Sequence, residues 1–186
     1  MTGWEKFCRF VLCKIMGWTI VEGRIPEDKC ILLGAPHTSI WDFFVSYLYY
    51  RSCGEKAKCM VKKEFFFPPL SWILKAMGGI PVDRTSPTNM LRSVIKQMEA
   101  PGRFHLAIAP EGTRKPVKNW KTGFHLIARK ANIPVYLGYF DWGTKRIGRG
   151  QKVELTDDAR ADMKRRQELY AQMHLTGKHP EKYITH

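Results

Sequence analysis

The stretch Cys30–Asp42, CILLGAPHTSIWD, restricts this chain more than any other. Ile31, Leu32 and Leu33 read as a short buried strand, which Gly34, Ala35 and Pro36 stop. A helix begins from Ser39 onward. A strand that passes into a helix through a small-residue turn sets side chains at the lip of a sheet, where ligands bind. His37 lies in that turn and Asp42 in the first helical turn, which suggests a histidine base and the acid that holds its tautomer. A second reading stands beside it. Ser39 followed three residues later by Asp42 is a capping box, in which the carboxylate satisfies backbone N–H groups. Residues five apart do not share a helical face, so the pair works only if His37 lies outside the helix and reaches over its N-terminus.

Length and charge narrow the class. At 186 residues the chain is one domain, large enough for a sizeable core. Lys and Arg number 31 against 17 Asp and Glu, a formal net charge of +14, so the surface attracts an anionic partner: phospholipid headgroups, nucleic acid or an acidic carrier protein. Cys8, Cys13, Cys30, Cys53 and Cys59 form no CxxC and no zinc pattern, and read as reduced thiols of a cytosolic protein. No apolar run approaches the ~20 residues of a membrane span. The N-terminal apolar region carries Arg9 and Lys14 and lacks a cleavage motif, so no cleavable signal is expected.

Residues 4–21 read as an amphipathic helix, with Trp4, Phe7, Cys8, Val11, Leu12, Ile15 and Trp18 on one face and Lys6, Arg9 and Lys14 away from it. A basic helix with tryptophans in its apolar stripe suits the plane of a membrane interface, and equally suits packing on a core. Further on, helices are expected at Trp41–Arg51, Ser71–Met77, Thr88–Glu99 and Lys121–Ala131. Strands are expected at Lys58–Lys62, Ile80–Val82, Phe104–Ala109, Val135–Phe140 and Lys152–Leu155. Thr156 is expected to cap a C-terminal helix with Asp157 and Asp158 in its first turn. Phe65-Phe66-Phe67 before Pro68-Pro69 reads as core for at least two of the rings, or as a slot for an alkyl chain or a lipid contact. The basic segment Asp141–Gln151 reads as a mobile loop. The alternation predicts an α/β fold: a single domain whose largely parallel or mixed sheet is flanked by helices, with an N-terminal amphipathic helix.

Three strand ends carry chemistry: His37 with Asp42, Asp83-Arg84, and Glu111-Gly112-Thr113-Arg114. Gly112 permits close backbone approach, Thr113 offers a hydroxyl, and Arg114 and Arg84 offer cations suited to phosphate. Singly, Gly112 is also a plain turn and the two arginines are ordinary surface charges. Together the motifs resemble those of the glycerolipid acyltransferases typified by 1-acylglycerol-3-phosphate acyltransferase. His-x4-Asp is present as residues 37–42, and Gly78–Arg84, preceded by Lys63-Glu64, matches a second motif. Pro110–Arg114 (PEGTR) matches a third in full, with order and spacing in agreement over roughly residues 30–140. A fourth motif usually holds two prolines, of which Ile133–Gly138 keeps only Pro134. The chain before His37 has room for one amphipathic helix where some members have two.

The resemblance implies a membrane-interface helix over residues 1–22 and an acyltransferase domain over 23–186. It implies transfer of a fatty acyl group from acyl-CoA or acyl carrier protein to the hydroxyl of a lysophospholipid, with 1-acylglycerol-3-phosphate expected. His37 would be the base and Asp42 its orienting acid, while Arg84, Glu111, Gly112, Thr113 and Arg114 would bind substrate. No metal and no cofactor beyond the acyl donor is expected, nor is nucleic acid. The partner would be an anionic membrane surface, with the protein peripheral on its cytoplasmic face. Two other readings remain: acyl transfer to an amino-acid or non-phosphorylated glycerol lipid, and a non-catalytic basic module that binds membrane or nucleic acid.

Overall fold

The computed structural model describes residues 1–83 and 85–185. Helix α1 spans Gly3–Phe10, opened by a reciprocal capping box in which the Thr2 N–H donates to Glu5 Oε2 (2.7 Å) and the Glu5 N–H to Thr2 Oγ1 (3.3 Å). A π-helical turn, Val11–Ile15, continues it, and Gly17 at φ +72° then breaks the winding. The helix expected over residues 4–21 therefore stops early. Thr19–Ile20 form a strand, β1, instead.

Then come β2 (Lys29–Ala35), α2 (Trp41–Ser52), β3 (Ala57–Lys62), a short 3₁₀ turn (Lys63–Phe65), α3 (Leu70–Ala76), β4 (Gly79–Val82), α4 (Pro87–Glu99) and β5 (Phe104–Ile108). The chain continues through α5 (Gly123–Ala131), β6 (Val135–Asp141), β7 (Arg146–Gly148), β8 (Lys152–Val153) and α6 (Ala159–Gln172). Asp158, rather than Thr156, caps α6: its carboxylate accepts from the N–H groups of Arg160 and Ala161, both at 2.9 Å. An ionised side chain at that position serves both the free amides and the helix dipole.

Among the described residues the strands form one eight-stranded mixed sheet, ordered β1-β7-β6-β2-β5-β3-β4, with β8 also on β6. Strands β6, β2, β5, β3 and β4 run parallel, while β7 and β8 run antiparallel to β6. The segment 141–151 is thus largely a hairpin and not a mobile loop. Arg146 and Ile147 pair with β6 on one side and with β1 on the other.

Side-chain alternation along the central strands sorts the core into two layers. Ile31, Leu33, Leu106, Val135 and Leu137 pack with Val94 and Met98 of α4, Phe124 and Ile127 of α5, and Met163 and Tyr170 of α6. Cys30, Leu32, Tyr136 and Phe140 point the other way, onto Leu12, Trp18, and Val45, Tyr49 and Tyr50 of α2. The N-terminal stripe divides accordingly: Cys8, Leu12 and Trp18 are buried, whereas Trp4, Phe7 and Ile15 are exposed. Among the described residues no helix is long and apolar enough to cross a membrane.

Candidate active site

Strands β2 and β5 are parallel neighbours, with Leu33 beside Ile108, so their C-terminal ends emerge together. That register carries His37, four residues past Leu33, beside Glu111, three past Ile108. The His37 backbone N–H donates to Glu111 Oε1 at 2.7 Å. Helix α2 begins only at Trp41, so His37 stands outside it and reaches back over the first turn, as the spacing required.

Asp42 is 1% exposed and its two carboxylate oxygens divide the work. Oδ2 accepts from the backbone N–H groups of Thr38 and Ser39, each at 2.8 Å, and lies 3.2 Å from His37 Nδ1. Oδ1 accepts the indole N–H of Trp142 at 2.8 Å. The two readings of Asp42 are therefore not alternatives: one oxygen caps the turn and also meets the imidazole. Because a carboxylate only accepts, the proton of a neutral His37 ring sits on Nδ1, which leaves Nε2 as a bare acceptor. A quarter of the His37 side chain is exposed.

Trp142 is the residue that motif spacing missed. It lies three residues beyond Tyr139, and Tyr139 of β6 sits beside Ala35 of β2. Its backbone N–H donates to the Thr176 carbonyl (2.8 Å), Trp18 meets its ring edge-on at 5.0 Å, and Lys178 Nζ lies 4.3 Å from its ring centre. The same C-terminal segment touches the His37 turn, where the His179 N–H donates to Thr38 Oγ1 at 3.2 Å. Only the strand order, which sets β6 next to β2, reveals this neighbourhood.

Glu111 is 5% exposed and its Oε2 has no hydrogen-bond partner among the described residues. Burial pushes its carboxyl up from an ordinary value of 4.5 to about 7, against the opposing pull of the His37 N–H. Gly112 adopts φ +66°, the left-handed conformation that glycine tolerates best, and a Cβ there would meet Lys121 Cγ at 3.0 Å. Thr113 is partly buried, and its Oγ1 accepts from the Lys115 N–H at 3.2 Å. Arg114 is exposed on the turn and makes no hydrogen bond or ion pair among the described residues.

Asp83 follows β4, three strands from β2, ~14 Å away along the same edge at ordinary strand spacing. Its Oδ2 meets Lys63 Nζ at 2.5 Å, and its Oδ1 accepts from the Thr85 amide and hydroxyl. The hydrogen bond from Lys63 leads the causes that hold its carboxyl well below the usual range. Arg84, expected to bind phosphate, lies outside the described residues. Among the described residues no three His, Cys, Asp or Glu side chains are grouped to hold a metal ion.

A family model described as Acyltransferase matches residues 19–137, well over half of the chain and the span that carries all three strand-end motifs. This chain belongs to that Acyltransferase family. It is 31% identical over 145 residues to a 1-acyl-sn-glycerol-3-phosphate acyltransferase from Pseudomonas aeruginosa, covering 70% of this chain and 54% of the relative. The chain thus spans about half the length of that curated relative. Its fold resembles the crystal structure of the 1-acyl-sn-glycerophosphate (LPA) acyltransferase PlsC from Thermotoga maritima, with a TM-score of 0.62 and 20% identity over 91% of this chain and 76% of the other.

The raised Glu111 pKa gives this family member a pH-dependent stability. The unfolded chain releases that proton near its ordinary 4.5 and the folded chain only near 7, so stability falls as pH rises through this window and is level above it. Glu111→Gln removes the titration. Its stability relative to the parent, from urea midpoints, is expected to rise by up to about 3 kcal/mol between pH 4.5 and pH 7.5. A difference that stays constant with pH would contradict the buried, proton-holding carboxyl.

Proposed function

We propose that this chain transfers a fatty acyl group from an acyl thioester, acyl-CoA or acyl carrier protein, to the free hydroxyl of a lysophospholipid, with 1-acylglycerol-3-phosphate as acceptor. The observation that carries this reading is His37 Nδ1 held 3.2 Å from Asp42 Oδ2 at a strand end, with Glu111 of the PEGTR turn bonded to the His37 amide. An alcohol is almost wholly protonated at neutral pH, so it needs a base as it attacks. Nε2 of His37 accepts the hydroxyl proton while the oxygen adds to the thioester carbonyl. The tetrahedral intermediate then expels the thiolate, which takes the proton back from the imidazolium, and the products are an ester and a thiol. Asp42 supports the transient positive charge on the ring without itself taking the proton.

Arg114, exposed and unpaired among the described residues, has the charge and planar fork to grip the acceptor phosphate. Thr113 and the Gly112 backbone flank it, and Arg84 is proposed for the same anion. Both relatives are acyltransferases of an acylated glycerol phosphate, which supports a phosphorylated acceptor over a phosphate-free one. The exposed aromatic side of α1 and the net charge of +14 support peripheral attachment to an anionic membrane on its cytoplasmic face.

His37→Ala is expected to lower thiol release in the presence of lysophosphatidate by ~10²–10⁴-fold with the circular dichroism spectrum unchanged. Retention of more than a tenth of the activity would remove His37 from the chemistry. Arg114→Ala is expected to raise KM about tenfold or more for the phosphorylated acceptor and to leave a monoacylglycerol unaffected. Equal effects on both acceptors would overturn the phosphate role.

A further inference from the structure

The exposed apolar side chains are distributed unevenly over the two faces of the sheet. Helices α2 and α3 carry the chain from β2 to β3 and from β3 to β4, stepping across the sheet in one direction, while α4 and α5 step back. Right-handed crossovers set the first pair on one face and the second pair on the other. The two core layers agree, since α2 packs with the N-terminal segment and α4 with α5 and α6. On the α4–α5–α6 face, Leu126 is the one large apolar residue exposed among the described residues. The α1–α2–α3 face exposes Trp4 and Phe7 on α1, Trp41 at the head of α2, and a separate group running from the 3₁₀ turn into α3.

That group is Phe65, Phe67, Trp72 and Ile73, at 43%, 54%, 69% and 52% exposure. Trp72 is the most exposed large apolar side chain on this face. Two of the three phenylalanines, expected in the core, are thus outside it, and only Phe66 is half-buried. Four exposed apolar side chains within nine residues are more than the scattered singles of an ordinary surface. Lys62 and Lys75, both exposed, border them, while Lys63 is held by Asp83 and the exposed Glu64 lies beside it. Against a second copy of this chain the group would bring lysines toward lysines, in a molecule already at +14. Against an anionic bilayer the same lysines meet phosphates, and Trp and Phe are the side chains that settle at headgroup depth.

We infer that Phe65, Phe67, Trp72 and Ile73 form a second bilayer contact, separate from α1, whose occupant is an anionic lipid leaflet. The pair of contacts sets the membrane plane along the α1–α2–α3 face. Lys62 ends β3 at the same sheet edge where β2 delivers His37, so the Phe65–Phe67 wedge lies on the catalytic side of the molecule. A lysolipid then reaches His37 from the leaflet without leaving it. The direction of that delivery rests on the proposed acyl transfer; the contact itself does not.

The test is sedimentation of the full chain with vesicles of phosphatidylcholine containing about one-third phosphatidylglycerol. The double variant Trp72→Ala/Ile73→Ala, both exposed and in a helix that alanine favours, is expected to partition about tenfold more weakly. Its thiol release with a short-chain acceptor below its micelle concentration should match the parent. Brominated lipid should quench Trp fluorescence in the parent more than in Trp72→Phe. Unchanged vesicle partitioning of the double variant overturns the inference, as does a parent dimer in solution that this variant abolishes. If partitioning falls but the parent acylates no lysolipid, the bilayer contact stands and the proposed activity fails.

Discussion

A buried carboxylate is tolerable only when its lone pairs are satisfied, and Asp42 meets that condition with N–H groups drawn from separate parts of the chain. Two come from the Thr38–Ser39 turn, one from the His37 ring and one from Trp142, a hundred residues later. Each contact restricts another element. The turn amides fix the start of α2, the imidazole is held in one tautomer, and the indole pins the β6–β7 connection to the β2 edge. Removing the carboxylate would strand several buried donors at once, each at a cost of ~1–3 kcal/mol. The structural role and the proposed chemical one therefore fall on the same two oxygen atoms.

The parallel sheet makes this arrangement reachable. His37, Glu111 and Asp83 each follow a strand, and because those strands are parallel, all three arrive at one edge. Direct adjacency of β2 and β5 brings Glu111 into contact with the His37 amide, whereas β4 stands three strands off and its Asp83 is occupied by Lys63 and Thr85.

Much of this was legible in the residues. The apolar run into Gly-Ala-Pro marked β2, and the strand–helix alternation marked the fold class. The His37–Asp42 spacing marked a turn whose histidine lies ahead of the helix. What escaped was specified by partners distant in sequence. Strand β1 is two residues long and carries no period of its own; it exists because Arg146 and Ile147 lie beside it. The basic composition of 141–151 suggested a solvated loop, yet pairing with β6 orders it and thereby supplies Trp142. The N-terminal stripe looked continuous because Cys8 and Leu12 lie close in rotation to Trp4, Phe7 and Ile15, though the first pair faces the core and the others face solvent. Gly17 was the local signal that the helix would end early.

The most direct measurement of the central claim is single-turnover thiol release from acyl-CoA, with lysophosphatidate present, in Asp42→Asn. If Asp42 holds the His37 proton on Nδ1 and stabilises the imidazolium, the chemical step should slow by ~10²–10⁴-fold with the acceptor concentration dependence unchanged. A folded Asp42→Asn protein that turns over at the parent rate, or that loses only acceptor affinity, would contradict it.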